Sequence, residues 1–461
     1  MKVWPSNLLS LALNLDCSLE GGAIKINSQL IEPGNIFIAL NNGHEHDGHN
    51  YVNHAIEMGA NLCIVNKSSN VNFAHNSDKL VKVEDTKQAL IKMAEYKRQT
   101  TKAKIISVTG STGKTSTKNL IYALIAAHLT KKSTVFAGYK NFNNFLGTTI
   151  NLASLSPSAL YGVFEVGMQE KGEIDEIAKL LKPQTALITN IGPVHLKYFS
   201  DINGIAQAKS EIMNYMELGN AVILNNDSSY LYDIKNKAKS KGLTIYTYGK
   251  NKNCDLHLVD IKFSNNKNLV NFELKGEKFE FQTYFLSEGS IYNILGSILC
   301  IHILGLDIHK TIDIIPNLNP SENRGEIINV KNKELKILDF SYNASPISVE
   351  NNLSSFMYND NVKRRVLILG DMLELGKDEA FYHTSLLPSI IKYKVDKLIT
   401  VGKLSKLLYA IAPKSIKLAT FLDADELNKH IQDLVQPKDL IMIQGSFGIG
   451  LKKVVNFLSS I

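Results

Sequence analysis

Cysteine is scarce in this chain, four in 461 residues. Cys17, Cys63, Cys254 and Cys300 lie far apart, and no CxxC pair occurs. That spacing excludes a disulfide framework and a thiolate zinc site, and it fits a reducing cytoplasm. Long apolar runs are also few. The longest, IYNILGSILCIHILGL, carries Asn293 and His302 and is short for a membrane span, so it reads as a buried helix. The opening MKVWPSNLLSLALNLDC imitates a secretion signal, but Asn14 and Asp16 break its apolar run and no small-residue cleavage site follows. An amphipathic first helix is expected there. The net charge of +7 is spread along the chain, with no arginine-rich arm and no aromatic-basic module for nucleic acid. An anionic small molecule is compatible with it.

Several catalytic signatures are missing too. There is no GxSxG elbow and no HExxH helix. HEHDGH, His44 to His49, comes near the HxHxDH pattern of binuclear metallohydrolases, but Gly48 stands where the Asp belongs and Asp47 falls one place early.

What is present is an alternation of strands and helices in three series. INSQLIEPGNIFIAL holds a Pro33-Gly34 turn before a strand, and HAIEMGANLCIV reads as helix, stop at Gly59, strand. These suggest a small α/β domain, with KMAEYKRQTTKAK as helix end and linker. From Lys104, KIISVTG, YGVFEVG, TALITNIG and NAVILNND alternate with helical patterns, which implies a parallel, doubly wound sheet. LHLVDIKFS, NLVNFELKG and KFEFQTYF read as a small antiparallel appendage. After the polar NLNPSENRGEI, a third series follows: LKILDFS, VLILGD, KLITVG and DLIMIQG. The expected fold class is α/β in three domains: residues 1–102, small and α/β; 103–315, a central, mostly parallel P-loop-type sheet; and 316–461, Rossmann-like.

One loop carries most of the chemistry. SVTGSTGKTSTKN, Ser107 to Asn119, joins a buried strand to a helix. The ordinary P-loop puts four residues between its first Gly and Gly-Lys-Ser/Thr, but only two separate Gly110 from Gly113. The context is still that of a phosphate site. The glycines let backbone N–H groups face an anion, and the helix start adds partial positive charge. Lys114 can neutralise terminal phosphates, and the Thr115 hydroxyl suits magnesium. Glu165 ends the next apolar strand, where an oxygen ligand for magnesium would be placed. His195 follows the strand after that. Alone, each of these would be a strand-end charge or a structural histidine; beside the loop they form a set.

The short TGSTGKT loop resembles that of the Mur ligases and folylpolyglutamate synthases. KNFNNFLGTTINL, FEVGMQEKGEI, ITNIGPVHLKYF, IAQAKSEI, SENRGE, LDFSYNASP and LILGDMLELG continue the resemblance in order, over nearly the whole chain. The FEVGMQEKGEI, DFSYNASP and GDMLELG elements are most similar to those members that add D-alanyl-D-alanine to a UDP-N-acetylmuramoyl tripeptide. The UDP-type N-terminal segment, EPGNIFIAL onward, speaks against a folate enzyme. The resemblance implies a cytoplasmic, ATP-dependent amide-forming ligase of peptidoglycan synthesis, monomeric and without a transmembrane segment or nucleic-acid partner. Alternatives are another Mur-type amino-acid ligase or a nucleotide-binding homologue that has lost catalysis.

The same resemblance implies roles. Thr109, Gly110, Ser111, Thr112, Gly113, Lys114 and Thr115 would hold the ATP phosphates. Asn293 would lie on the adenine side, Arg324 would reach a phosphate and Asp339 would accept from the ribose. Thr115 and Glu165 would hold one magnesium, and His195 would help to hold a second. Lys209 matches a lysine that relatives carry carbamylated. Lys114, His195 and Lys209 are the implied catalytic set. Ser28 and Asp47 are implied on the UDP-substrate side, and Asn143, Asn144, Tyr342 and Asn343 close to substrate or nucleotide. Four positions depart from the pattern: Gln29 replaces an arginine of a DSR element, Phe340 a second acid, and Gln444 and Phe447 the cations of a KGSR-like element. The third residue of the tripeptide, diaminopimelate or lysine, stays open.

Overall fold

A computed structural model describes residues 2–41, 47–69, 77–139, 141–263, 267–357 and 362–460. They form three sheets in chain order, of four, nine and six strands. The first has Ile24–Lys25, Ile36–Ile38, Leu62–Asn66 and Leu80–Val83 in sequential order, all parallel. The helix Thr86–Thr100 buries Ala89, Leu90, Met93 and Ala94, so only residues 101–103 link it to the next strand. This first unit is packed onto the second rather than tethered to it. Trp4 is fully buried and its indole N–H donates to the Ala153 carbonyl at 2.8 Å. Arg98 donates to the Lys182 carbonyl at 2.7 Å. The Ser6–Leu13 helix expected at the N-terminus is present, with Leu9, Ala12 and Leu13 inside.

In the central sheet Lys104–Thr109 lies between Tyr161–Glu165 and Thr185–Ile188, parallel to both. Its residues are buried from Ile105 to Thr109, as the unbroken apolar run of a strand covered on both faces requires. The strand order departs from chain order here, and the carboxyl ends of three neighbouring strands open on one crevice. This is where an open α/β sheet leaves room for a ligand. The antiparallel appendage proves to be the edge of the same sheet. Leu256–Lys262 pairs in parallel with Thr244–Gly249, then antiparallel with Asn268–Leu274, which pairs with Glu277–Thr283. The long apolar run is the helix Glu288–Ile303, with Ile291, Ile294, Leu295, Ile298 and Leu299 fully buried. At about 1.5–3 kcal/mol each, these side chains make it the anchor of the central core. Among the described residues no helix is long and apolar enough to cross a membrane.

The third sheet runs Glu326–Val330, Leu335–Phe340, Asp439–Gln444, Arg364–Gly370, Lys397–Val401, Lys417–Phe421, parallel except for the first pair. Glu326–Val330 and Lys417–Phe421 escape the sequence reading. The latter is half-buried along its whole length, so it lacks both the alternation and the apolar run that announce a strand.

Candidate active site

The phosphate-type loop sits at the switch point of the central sheet. Gly110 and Gly113 have φ of +145° and +81°, a region that favours glycine. Space demands glycine as well: a Cβ on Gly110 would collide with Thr189 Oγ1, and one on Gly113 with Asn293 Oδ1. The helix Lys114–His128 starts directly after the loop, and no side chain caps its first turn. Its first N–H groups are therefore available to an anion.

The loop is braced by the segment Thr189–Gly192, which the sequence quotes in ITNIG without revealing its role. Thr112 N–H donates to Asn190 Oδ1 at 2.9 Å, and Asn190 Nδ2 donates to Thr112 Oγ1 at 2.7 Å. Ser111 Oγ accepts from Gly192 N–H at 2.9 Å, and Thr189 Oγ1 donates to the Thr112 carbonyl at 2.5 Å. Lys114 folds back over the loop, with Nζ donating to the Gly110 carbonyl at 2.8 Å. Burial pulls its pKa down, Glu165 pulls it up and Arg324 adds to the lowering.

Thr115 and Glu165, expected to share a magnesium, stand side by side. Thr115 Oγ1 donates to Glu165 Oε2 at 2.7 Å, and Asn143 Nδ2 donates to Oε1 at 2.8 Å. The carboxylate is buried, 5% exposed, and its hydrogen-bond partners among the described residues are neutral. Lys114, Lys118 and Arg324 feel its charge without bonding it, and a buried carboxylate with a hydroxyl beside it fits a hard divalent cation that keeps most of its waters. No group of three His, Cys, Asp or Glu suited to a metal occurs among the described residues, so any ion here would also rely on waters and phosphate oxygens. His195 lies on the same cleft, and its Nδ1 is 2.6 Å from Glu374 Oε2. Burial, then the charges of Lys114 and Lys209, lower its pKa against the pull of Glu374, which favours the neutral imidazole a metal needs. Lys209 is 1% exposed and does not line the cleft. Burial, and then the charge of Lys114, push its pKa well below the ordinary lysine value.

The C-terminal unit forms the opposite wall of a cleft of about 830 Å³. Arg324 lies 3.8 Å over the Tyr342 ring, whose hydroxyl accepts from Asn141 Nδ2 at 2.8 Å. Asn143, Asn144, Asn293, Tyr342 and Asn343 all line this space. Asn144 is partly occupied elsewhere, because its Oδ1 caps the helix Phe145–Ala153 through Gly147 N–H. Tyr292 and Asp227, unnoticed in the sequence, also line it, joined at 2.6 Å.

Besides Lys209, and Thr109 and Gly110 at the base of the loop, three expected residues stand apart from the cleft wall. Asp339 is fully buried; Oδ1 accepts from Ser341 N–H at 2.9 Å and Oδ2 faces Lys452 Nζ at 3.1 Å. In this arrangement each of its oxygens has one partner within the protein. Ser28 and Asp47 belong to the first unit, where Asp47 Oδ1 accepts from His49 N–H at 3.0 Å. His49 itself is buried, with Nε2 accepting from Asn66 N–H at 2.9 Å, a structural role; His44 and His46 lie outside the described residues. Of the departures, Gln444 is fully buried and donates to Ser348 Oγ at 3.0 Å. Phe340 and Phe447 line the cleft, Phe447 being 78% exposed.

Comparison with known proteins agrees over the whole chain. Family profiles match for the Mur ligase family catalytic domain at residues 22–98, the Mur ligase middle domain at 108–301 and the Mur ligase glutamate ligase domain at 323–447. A Rickettsia prowazekii protein named UDP-N-acetylmuramoyl-tripeptide–D-alanyl-D-alanine ligase is 35% identical over 99% of both chains. A crystal structure of MurF from Acinetobacter baumannii superposes with a TM-score of 0.84 at 24% identity, covering 100% of this chain and 99% of that one. A MurF ligase from Thermotoga maritima in complex with ADP gives 0.79 at 22% identity, covering 98% of each. The short phosphate loop, the strand-end carboxylate and the three-sheet order thus have one explanation: the chain belongs to the Mur ligase family.

Proposed function

We propose that the protein is the ATP-dependent ligase that joins D-alanyl-D-alanine to UDP-N-acetylmuramoyl-tripeptide, in the cytoplasm, for peptidoglycan synthesis. The observation that carries it is a single cleft with the phosphate loop, Lys114 and the Thr115–Glu165 pair on one wall and Arg324 and Tyr342 on the other. The full-length relative bearing that name supports it. Residues 1–102, 103–315 and 316–461 serve in this reading as the UDP-substrate, ATP and closing units; each of the three sheets falls inside one of them.

The reaction starts with a poor electrophile, a carboxylate. One of its oxygens attacks the γ-phosphorus of ATP, the bond from that phosphorus to the bridging oxygen breaks, and ADP leaves. The dipeptide amine then attacks the carbonyl carbon of the acyl phosphate through a tetrahedral intermediate. The C–O bond breaks, phosphate departs and the amine gives up a proton. The protein's task is positioning and stabilising negative charge. Residues Thr109 to Gly113 present the loop, and Lys114 and Arg324 neutralise phosphate oxygens. Asn293 faces the adenine side; Asn143, Asn144, Tyr342 and Asn343 line the substrate path, and Ser28 and Asp47 belong to the UDP side. Magnesium, held by Thr115 and Glu165 with a second ion beside His195, would draw charge off the transferring phosphoryl group. Lys209, whose pKa burial lowers, would carry a carbamate on the side of that second ion. Asp339, steadied by Ser341 and Lys452, would accept from the ribose hydroxyls.

The test is phosphate release by the purified protein. It should require ATP, magnesium, the UDP-muramoyl tripeptide and D-alanyl-D-alanine together. ATP binding without release would make the chain a nucleotide-binding scaffold. Release with single amino acids in place of the dipeptide would make it another ligase of the family.

A further inference from the structure

The GDMLELG segment marks the resemblance, yet the chemistry above leaves it without a task. It ends in a turn that docks the C-terminal unit on the loop carrying His195. Glu374 Oε2 is 2.6 Å from His195 Nδ1, and Lys197 N–H donates to the Glu374 carbonyl at 3.2 Å. A Cβ on Gly376 would stand 3.0 Å from the Leu196 carbonyl oxygen, so the two backbones meet almost without side chains between them. His195 and Glu374 both have left-handed backbones, with φ of +55° and +64°. Non-glycine residues persist in that region only where their surroundings hold them. Two such residues, 179 apart in sequence and joined side chain to side chain, indicate a contact that the fold maintains.

The chemistry of the pair has one sense. A carboxylate only accepts, so His195 donates from Nδ1, and Nε2 then carries the lone pair. No described residue hydrogen-bonds Nε2, and His195 lines the cleft. A metal-bound histidine is commonly held this way, its far N–H on a carboxylate that fixes tautomer and ring orientation. We propose that Glu374 is a positioning residue for His195: the C-terminal unit supplies the carboxylate that sets the imidazole of the central unit with Nε2 toward the cleft, so the metal-side ligand is complete only when the two units are seated together. This rests on the reading of His195 as a ligand.

The experiment measures Mn²⁺ binding by electron paramagnetic resonance on the full-length protein with ADP present, which needs no turnover. His195→Ala should weaken Mn²⁺ binding, and Glu374→Ala should weaken it by about 10–100-fold. Glu374→Gln keeps an acceptor for Nδ1–H and should lose less. The double variant His195→Ala/Glu374→Ala should bind no worse than His195→Ala alone, and ADP affinity without metal should be unchanged in all of them. Parental Mn²⁺ affinity in Glu374→Ala, or losses that multiply in the double variant, would overturn the proposal while leaving His195 a ligand. Parental affinity in His195→Ala would remove the ligand reading and the proposal with it.

Discussion

Lys114→Ala is expected to slow phosphate release by about 10³-fold with the fold intact. A unit charge about 4 Å from a phosphate oxygen contributes about 4 kcal/mol at an effective dielectric of 20, and that figure corresponds to about three powers of ten in rate. The structure explains why nothing else substitutes. Lys114 Nζ is held on the Gly110 carbonyl at 2.8 Å and reaches the Ser111 carbonyl at 3.3 Å, inside the concavity the loop encloses. Arg324 approaches from the other unit and is committed to the face of Tyr342. Lys114→Arg retains charge, but a planar guanidinium cannot refit the two-carbonyl seat of a compact ammonium, so its rate should lie between. Single-turnover phosphate release with unchanged thermal unfolding decides the matter. A Lys114→Ala rate within a few fold of the parent would take the loop out of the chemistry.

Lys209 is expected to matter nearly as much and for a different reason. Buried beside the charge of Lys114, its amine is pushed well below the usual lysine pKa, and the neutral amine is the form that adds carbon dioxide, releasing a proton. A carbamate would convert a cation that burial penalises into an anion on the side of the second ion proposed at His195. Protein equilibrated with ¹³C-bicarbonate should therefore show one carbamate resonance that grows as pH rises through the lowered pKa. The resonance should be missing in Lys209→Ala, whose turnover should fall by about 10²–10³-fold, the scale for losing one preorganised electrostatic group. An unlabelled parent protein, or Lys209→Ala with near-parental turnover, would assign the residue to structure alone.

The central half of this site was legible because its signals are local. A buried strand, two glycines and a lysine at a helix start are neighbours in the chain, and a strand-end Glu165 needs only strand counting to reach Thr115. What stayed hidden depends on distant partners. The Asn190 brace reaches back 78 residues to Thr112, and Glu374 reaches 179 to His195; no periodicity records either. Asp339 shows the opposite case. The motif around it is plain, but which way its carboxylate is engaged depends on Lys452, on the C-terminal helix 113 residues away. Gln444 stands where the sequence pattern expects a cation, and it is fully buried with a hydrogen bond to Ser348 Oγ. The fold followed the same rule. Buried parallel strands announced themselves, whereas the half-exposed edge Lys417–Phe421 did not.

The claim that joins these observations is that the cleft activates a carboxylate by phosphoryl transfer. The direct test uses UDP-muramoyl tripeptide carrying ¹⁸O in its terminal carboxylate, with ATP, magnesium and D-alanyl-D-alanine, and mass analysis of the phosphate released. If an acyl phosphate forms, each turnover transfers one carboxylate oxygen to phosphate, and the product amide keeps the other. Phosphate that leaves without label while the amide is made would contradict the account.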